Sequence, residues 1–346
     1  MIKASVIGAT GYAGQELVRL LMRHPEVELL SLGSRSYQGQ AYADVYNNFR
    51  DLSDLVCQAG DIEILADQSD VIFLAMPHGI ASKMVTQAVL EKAVVIDLGA
   101  DYRLHDIDVY NEWYQTEHGS VDLLSQAVYG LCELHREKIK TARLIANPGC
   151  YTTCSILSLA PLIHEGLIDE NSIIIDAKSG VSGAGRSTTQ DLLFGEVNES
   201  IKAYKIGDHR HTPEIEQELQ ALNQKKFNVL FTPHLVPMNR GILAVSYASL
   251  KASTTEEQIK VAYKKMYQDE YFIRLTGDKM PETRWARGTN FVDIGFKLNT
   301  RTNRVVVVGA IDNLIKGAAG QAIQNMNIVF ELEEKLGIDM IADFPI

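Results

Sequence analysis

Short apolar runs alternate with amphipathic stretches over the first 145 residues. The runs are, in order, IKASVIG, VELLSLGS, DVIFLAMPHG and AVVIDLGA. Such β-rich runs without polar alternation are typical of parallel strands that helices cover on both faces. A helical stripe separates the first two runs, formed by Gly14, Leu17, Val18 and Leu21 and followed by Pro25. This order predicts an α/β fold with a doubly wound parallel sheet of the Rossmann type.

The pattern changes after about residue 150. Longer and partly alternating runs follow, namely SIIIDAKSG, GILAVSYASLKA and NRVVVVGAID, with fewer helices between them. They predict a mixed or antiparallel sheet in a second domain of α+β type. A last helical stretch rich in small residues is expected to return to the first domain. We therefore predict a nucleotide-binding domain over 1–148, completed by 313–346, and a second domain over 149–312.

Composition narrows the class of protein. The 346 residues are 46% hydrophobic and 22% charged, which is ordinary for a globular chain. Acidic residues exceed basic ones by 44 to 33, giving a net charge of −11, which disfavours nucleic acid and anionic membranes as partners. We find no signal peptide pattern and no apolar run of about 18 residues. Four cysteines are too few for a disulfide framework, so we expect a cytoplasmic protein.

A glycine-rich turn lies between the first strand and the first helix. Its sequence GATGYAG has the spacing G-x-x-G-x-x-G. Strand, turn and helix in this order let backbone N–H groups approach a pyrophosphate at a helix N-terminus. The alternative is a set of turn and packing glycines without a ligand. The predicted cofactor contacts are the turn residues Gly8, Thr10, Gly11, Tyr12, Ala13 and Gly14.

The end of the second strand bears on the choice of cofactor. NAD sites usually place a carboxylate there to bind the ribose 2′-hydroxyl. This chain has Ser34, Arg35 and Ser36 instead. A guanidinium and two hydroxyls suit a 2′-phosphate, so NADP is favoured, unless Arg35 is simply a solvated loop residue.

Cys150 and Cys154 lie beside a Pro-Gly turn in IANPGCYTTC. A zinc site lacks two further ligands at suitable spacing. A disulfide four residues apart on a helix is strained and needs an oxidising compartment. The third possibility places Cys150 in the first turn of a helix, where the dipole and free N–H groups lower the pKa of a thiol. We favour Cys150 as a nucleophile over a structural thiol, with Cys154 facing the interior.

Eight segments together resemble the N-acetyl-γ-glutamyl-phosphate reductases of arginine biosynthesis over nearly the whole chain. The segments are GATGYAGQEL, MPHG, DLGADYRL, NPGCY, SGVSGAGR, HRHTPEI, TPHLVPMNRGI and KGAAGQAIQN. The chain departs from the family locally, with Thr152, Thr153 and Cys154 where the family commonly has Pro, Val or Ala, then Thr and a small residue. The resemblance implies a second domain like that of glyceraldehyde-3-phosphate dehydrogenase and a homodimer or homotetramer.

The resemblance implies NADPH-dependent reduction of a small acyl phosphate through a thioester on Cys150. The H-x-H pair offers an acid/base, with His211 preferred and His209 close behind; the same pair is compatible with a metal, but we expect none. Further cofactor contacts are expected at His78, Ser182, Gly183 and Asn313, although His78 is equally compatible with a buried imidazole. Lys316, beside Asn313, is expected to be a solvated surface residue.

The substrate's anionic groups call for guanidinium and amide donors. The candidates are Arg103, Asn147, Arg186 and Arg240, and each arginine is also compatible with a structural role.

Two rival functions remain. Aspartate-semialdehyde dehydrogenase, or another acylating aldehyde dehydrogenase, shares the thiol chemistry, whereas HRHTPEI and GADYRL favour the acyl-phosphate reductase. A sensor that binds NADP without turnover would have no need of the nucleophile.

Overall fold

The computed structural model describes residues 1–252 and 254–345. The chain divides into two compact units. The first consists of residues 1–148 and 318–339, and the second of residues 149–317 and those from 340 on. The returning segment is therefore shorter than 313–346, because 313–317 and 340–345 group with the second unit. Among the described residues, no helix combines the length and apolarity needed to cross a lipid bilayer.

The strands and helices are numbered along the chain. The strands are β1 Ile2–Ile7, β2 Val27–Gly33, β3 Cys57–Gln58, β4 Val71–Leu74, β5 Val94–Asp97, β6 Ala127–Tyr129, β7 Leu144–Ala146, β8 Ile174–Ser179, β9 Lys202–Ala203, β10 Leu230–Leu235, β11 Ile242–Ser249, β12 Ile273–Leu275, β13 Val292–Asn299 and β14 Arg304–Ile311. The helices are α1 Tyr12–Leu21, α2 Tyr42–Val45, α3 Ile62–Ala66, α4 Ala81–Met84, α5 Gln87–Lys92, α6 Ile107–Tyr114, α7 Cys132–Ile139, α8 Cys150–His164, α9 Phe194–Val197, α10 Thr212–Asn223, α11 Glu256–Tyr267, α12 Thr283–Ala286 and α13 Gly320–Val329.

The first unit contains a seven-stranded parallel sheet in the order β3-β2-β1-β4-β5-β7-β6. Every residue of β4 and β5 is buried, as the unbroken apolar runs predicted. The strand order reverses between β1 and β4, and open α/β sheets bind their ligands at the carboxyl ends of the strands at such a switch point. The predicted doubly wound sheet is confirmed.

The second unit contains a mixed sheet in the order β12-β13-β14-β11-β8-β10-β9. β8 and β10 are parallel, whereas β11 pairs antiparallel with both β8 and β14. Alternate residues of β11 are buried, beginning with Ile242, because α8 packs against β11 and β14 on one face. This confirms the predicted α+β architecture.

Helix α8 is the core helix of the second unit, and residues 151–163 are all buried. Pro161 lies inside it and has no N–H to donate to the carbonyl of Leu157. The hydroxyl of Tyr267 on α11 donates to that carbonyl instead, at 2.7 Å. A tertiary hydrogen bond thus satisfies the acceptor that the proline leaves open.

Helix α13 returns to the first unit, as expected, and packs beside α7 and α1. Its contact face is polar as well as small. The Asn325 amide donates to the carbonyl of Gly130 and to the Asn147 side chain, at 2.8 and 3.1 Å. Gln321 also donates to the Gly130 carbonyl, at 2.7 Å. These buried amides fix the helix in one register, because a shifted helix would leave them without partners.

Candidate functional site

The glycine turn follows β1 at the switch point of the parallel sheet, and its three glycines have different surroundings. Gly8 has φ +85°, and a Cβ there would lie 2.2 Å from the carbonyl oxygen of Ala75. A Cβ on Gly14 would lie 2.1 Å from the Gly8 carbonyl oxygen. A Cβ on Gly11 would meet only that same oxygen, at 3.6 Å. Gly8 and Gly14 are therefore required by packing, whereas Gly11 leaves backbone open to a ligand.

The end of β2 lies beside this turn. The hydroxyls of Ser34 and Thr10 are 2.8 Å apart, and Ser34 is buried. Arg35 and Ser36 are exposed. Within residues 1–252 and 254–345 the Arg35 side chain makes no hydrogen bond or ion pair. Tyr12 is exposed at the start of α1, and Ala13 follows it in the first turn. The structure thus brings Thr10 to Ser34 and leaves a guanidinium available at the next position.

His78 is exposed and contacts the ring of Tyr114, with centroids 5.4 Å apart. The loop after it is fixed by Asp101, whose carboxylate accepts hydrogen bonds from the backbone N–H groups of Gly79 and Ser82. Exposure is compatible with the predicted cofactor contact of His78 and excludes the alternative of a buried imidazole.

Arg103 and Asn147, both predicted as substrate ligands, are buried. Arg103 donates to the backbone carbonyls of Leu98 and Asn147, each at 2.8 Å. The Asn147 amide donates to the carbonyl of Ala318 at 3.0 Å. These side chains hold the segment that leads to the cysteine turn.

Cys150 is the first residue of α8, after Gly149 at the N-cap. It is half-buried, whereas Cys154 is fully buried. Burial raises the pKa of Cys154 to about 12, so this thiol stays protonated. Cys154 therefore packs as a small apolar residue of the core. Gly317 packs against the cysteine turn, since a Cβ there would lie 2.6 Å from the Cys150 Cβ. All four cysteines of the chain are free in the structure, and Cys57 and Cys132 are buried.

Glu214 anchors this turn and was not among the predicted residues. Its fully buried carboxylate accepts hydrogen bonds from the Gly149 N–H at 3.0 Å and from the Thr152 hydroxyl at 2.8 Å. It lies in the first turn of α10, immediately after the H-x-H pair. A glutamate at that position is usually a helix-start residue, so no separate signal distinguishes it in the sequence.

The two histidines lie together against Tyr151. The centroids of His209 and His211 are 4.8 Å apart, and both rings are within 6 Å of the Tyr151 ring. Burial and the neighbouring His211 lower the pKa of His209 to about 2. Its Nδ1 accepts a hydrogen bond from the His211 backbone N–H, which places the proton of the neutral ring on Nε2. His209 is therefore neutral at physiological pH.

Tyr204 joins this cluster and was also missed. Its hydroxyl donates to that of Tyr151 at 3.3 Å, and Tyr151 donates to the backbone carbonyl of His234 at 3.1 Å. Burial raises the pKa of Tyr204, and the charge of the nearby Cys150 adds to the rise. Tyr204 follows the two-residue strand β9, whose exposed pattern IKAYKIG carries no periodicity that would identify it.

Asp312 and Asn313 follow β14 and bind a second glycine-rich loop, SGVSGAGR at residues 179–186, and its neighbours. The two oxygens of the buried Asp312 carboxylate accept hydrogen bonds from Nε and Nη2 of Arg240, at 3.1 and 3.0 Å. Asn313 accepts a hydrogen bond from the Gly241 N–H at 2.7 Å, and its amide donates to the Ser182 hydroxyl at 3.0 Å. The structure thus brings the predicted residues Ser182, Asn313 and Arg240 together.

The remaining predicted residues differ in exposure. Gly183 and Arg186 are exposed on the same loop. Lys316 is fully buried, with its Nζ 5.8 Å from the centroid of the Phe272 ring, so the expectation of a solvated lysine is wrong. Among the described residues, no group of three or more His, Cys, Asp or Glu side chains is arranged to hold a metal ion.

Comparison with known proteins covers both units. A family model for the semialdehyde dehydrogenase NAD-binding domain matches residues 3–142, and one for the semialdehyde dehydrogenase dimerisation domain matches residues 150–313. Among solved structures, aspartate semialdehyde dehydrogenase II of Vibrio cholerae, complexed with ASA, superposes with a TM-score of 0.72 at 19% identity, over 96% of this chain and 98% of that one. Aspartate semialdehyde dehydrogenase of Candida albicans, with NADP, gives 0.69 at 20% identity, over 95% and 98%. These likenesses concern the fold.

Sequence relatives are much closer. N-acetyl-gamma-glutamyl-phosphate reductase of Lachnospira eligens is 55% identical over 100% of both chains. The enzyme of that name from Lachnoclostridium phytofermentans is 53% identical over 100% of its own chain and of this one. The enzyme from Campylobacter jejuni is also 53% identical, over 99% of each chain. Identity of this extent over the full length confirms the resemblance carried by the eight segments. The chain belongs to the N-acetyl-gamma-glutamyl-phosphate reductase family of oxidoreductases.

Proposed function

We propose that this chain reduces N-acetyl-γ-glutamyl phosphate to N-acetylglutamate 5-semialdehyde and phosphate with NADPH, in arginine biosynthesis. The observation that carries the proposal is the half-buried Cys150 at the first position of a core helix, followed by Tyr151, whose ring contacts both histidines. A non-catalytic NADP sensor would have no use for this arrangement. The relatives' shared name gives the substrate, and the cysteine turn supports the chemistry.

The glycine turn fits the pyrophosphate of a dinucleotide. Gly11 leaves the backbone open at the start of α1, while Gly8 and Gly14 admit no side chain. Arg35, with Ser34 and Ser36, fits the 2′-phosphate of NADP, and no carboxylate follows β2 to bind a 2′-hydroxyl. When bound, NADPH supplies the hydride. We also assign His78, Ser182, Gly183 and Asn313 to cofactor contacts, as the family resemblance implies.

Cys150 would act as the nucleophile. Its thiolate attacks the acyl carbon, a carbon–sulfur bond forms, and the carbon–oxygen bond to phosphate breaks. The acyl group then remains on the sulfur as a thioester. Addition of a hydride to that carbon leaves an oxyanion, which takes a proton from a neighbouring acid to become a thiohemiacetal. Collapse of the thiohemiacetal returns this proton, releases the semialdehyde and restores the thiolate. The N–H groups of the first turn of α8 stabilise negative charge at this sulfur.

The collapse requires a proton acceptor, and we assign that role to His211. His209 binds protons too weakly, because its pKa is lowered to about 2. Its Nδ1 is also engaged by the backbone N–H of His211, which suits a positioning role. The sequence left the choice between the two histidines open, and the lowered pKa of His209 supports His211.

For the substrate's anionic groups we retain Arg186 and Arg240, of which the second is held by Asp312. Arg103 and Asn147 act instead as positioning residues for the cysteine turn. We further propose a homodimer or homotetramer, supported by the match to a dimerisation domain over 150–313. A cytoplasmic location is supported by the four reduced cysteines.

Steady-state kinetics in the reverse direction tests the proposal. The purified chain is given N-acetylglutamate semialdehyde, phosphate and NADP, and NADPH formation is followed. We expect turnover that requires phosphate, and a much higher KM with NAD than with NADP. Aspartate semialdehyde serves as the rival substrate. Faster turnover of that substrate, or none with either aldehyde, would contradict the assignment.

A further inference from the structure

Arg287 lies between α12 and Gly288, in a loop of the second unit. Its side chain is half-buried, and within residues 1–252 and 254–345 it makes no hydrogen bond or ion pair. Other arginines of the same region are paired. Arg284 binds Glu282 at 2.9 Å, and Arg274 binds both oxygens of Asp293. Arg287 therefore differs from these arginines in that its guanidinium is available to an external anion.

This loop is tied to the candidate active site. The N–H of Gly288 donates to Asp312 at 2.7 Å, and the same carboxylate binds Arg240. The carbonyl of Asp312 accepts the N–H of Gly317 at 2.9 Å, and Gly317 packs directly against Cys150. A short chain of contacts within one unit therefore runs from the residue after Arg287 to the cysteine turn.

Charge balance argues for a ligand at this position. The substrate assigned above carries a carboxylate at one end and an acyl phosphate at the other. Arg240 is neutralised by the buried Asp312, so the pair brings no net positive charge to the site. Arg287 has no such counter-charge and contributes a net positive charge. The planar fork of its guanidinium fits carboxylate and phosphate oxygens alike.

We propose that Arg287 binds an oxyanion group of the substrate, either its carboxylate or its phosphate. This inference rests on the proposed function. Arg240 then serves as a fixed hydrogen-bond donor, and Arg287 supplies the net charge that attracts the anion. Binding of the substrate also gives the Arg287 side chain a partner that residues 1–252 and 254–345 do not provide.

Reverse kinetics with separately varied substrates tests this role. The variants are Arg287→Gln, Arg287→Lys and the matched control Arg284→Gln, which removes an exposed arginine three residues earlier. We expect Arg287→Gln to raise the KM of one reactant, semialdehyde or phosphate, by about tenfold or more, as for loss of a charge-assisted bidentate contact. The kcat should change much less, Arg287→Lys should recover part of the loss, and Arg284→Gln should match the parent.

The reactant whose KM rises identifies the oxyanion that is bound. Unchanged KM values for both reactants in Arg287→Gln, with the parent active, would overturn the inference and leave the proposed function intact. Inactivity of the parent chain would overturn both. Thermal unfolding is measured in parallel, and a loss of folding in both Arg287 variants but not in Arg284→Gln would show that the side chain is structural, contrary to the inference.

Discussion

Glu214 follows the histidine pair in sequence and connects that segment to the cysteine turn by hydrogen bonds. Its carboxylate binds the N–H of Gly149, which precedes Cys150, and the hydroxyl of Thr152. It thereby fixes the backbone on both sides of the cysteine. A buried acceptor with two donors is costly to remove, because the Gly149 N–H has no access to water as a substitute.

Replacement of Glu214 by Ala is expected to lower the free energy of unfolding by about 1–3 kcal/mol. It should also lower kcat, because the cysteine turn loses its anchor. Glu214→Gln keeps an acceptor oxygen and should lose less of both. Glu216→Ala is the matched control on the same helix, since Glu216 accepts from the Val229 N–H and does not contact the turn. Urea unfolding and reverse kinetics provide the measurements, and parental stability and kcat in Glu214→Ala would contradict this role.

At the scale of single residues, the sequence indicated which side chains are chemically reactive more readily than it indicated which side chains are buried. Cys150, the histidine pair and the glycine turn were found from residue type and local context. Lys316 was misjudged because its burial depends on a segment far away in sequence, which includes Phe272. The hydrogen bonds of Arg103 and Asn147 were not predictable for the same reason, since the Asn147 amide donates to Ala318. Tyr204 was missed for the same reason, since its partner Tyr151 is 53 residues away.

At the scale of elements, the glycines of the turn between β1 and α1 have two different roles, close packing and exposure of the backbone to a ligand. Gly8 and Gly14 allow the strand end, the turn and the helix to approach closely, and Gly11 exposes backbone. Their spacing in the sequence predicted the turn but did not separate these roles. The requirement at Gly8 depends on Ala75, which follows the neighbouring strand β4 and comes close only in the folded sheet, and the requirement at Gly14 depends on the Gly8 carbonyl within the folded turn.

Alanine at each of the three glycines should therefore have different effects. Gly8→Ala and Gly14→Ala are expected to fold poorly, since their Cβ atoms would lie 2.2 and 2.1 Å from carbonyl oxygens. Gly11→Ala should keep the parental melting temperature but bind NADP more weakly, because the methyl group occupies the open backbone. Thermal unfolding and fluorescence titration with NADPH distinguish the two classes. Equal losses of stability in all three variants would contradict this division.

At the scale of the whole molecule, the hydrophobic pattern was sufficient for the two architectures. Unbroken apolar runs gave the parallel sheet, and alternating runs such as β11 gave the mixed sheet. The exact division of the chain was not accessible, since 313–317 and 340–345 group with the second unit through contacts that periodicity does not encode. The short strands β3 and β9 were likewise too brief to show a pattern.

Global stability should carry a pH dependence from Asp97, at the end of β5. Burial and the neighbouring Asp101 raise its pKa from 3.8 to about 7, with the Gly99 N–H and Arg103 acting in the opposite direction. Between those values the folded chain retains a proton that the unfolded chain releases. The contribution of Asp97 to stability therefore falls as pH rises from about 4 to about 7, by up to about 1.4 kcal/mol per pH unit.

Asp97→Asn removes this contribution, so the variant should gain stability relative to the parent between pH 5 and pH 8. Desolvation lowers the pKa of His24, His118 and His209, and their effect has the opposite sign, with stability lost as pH falls below about 6.5. That effect is common to both chains and cancels in the difference. Urea midpoints at pH 5 and pH 8 give the comparison, with the exposed Asp108→Asn as control. An equal difference at both pH values would contradict the assignment.

The most direct measurement of the central proposal is identification of the acylated side chain. The chain is mixed with N-acetylglutamate semialdehyde and NADP in the absence of phosphate, so that the acyl group forms and is not transferred to phosphate. After acid quench and digestion, mass spectrometry locates the added N-acetylglutamyl group. We expect one group per chain on the peptide that contains Cys150, its absence in Cys150→Ser, and its retention in Cys154→Ala. An acyl group on any other side chain, or a burst of NADPH without acylation, would contradict covalent catalysis by Cys150.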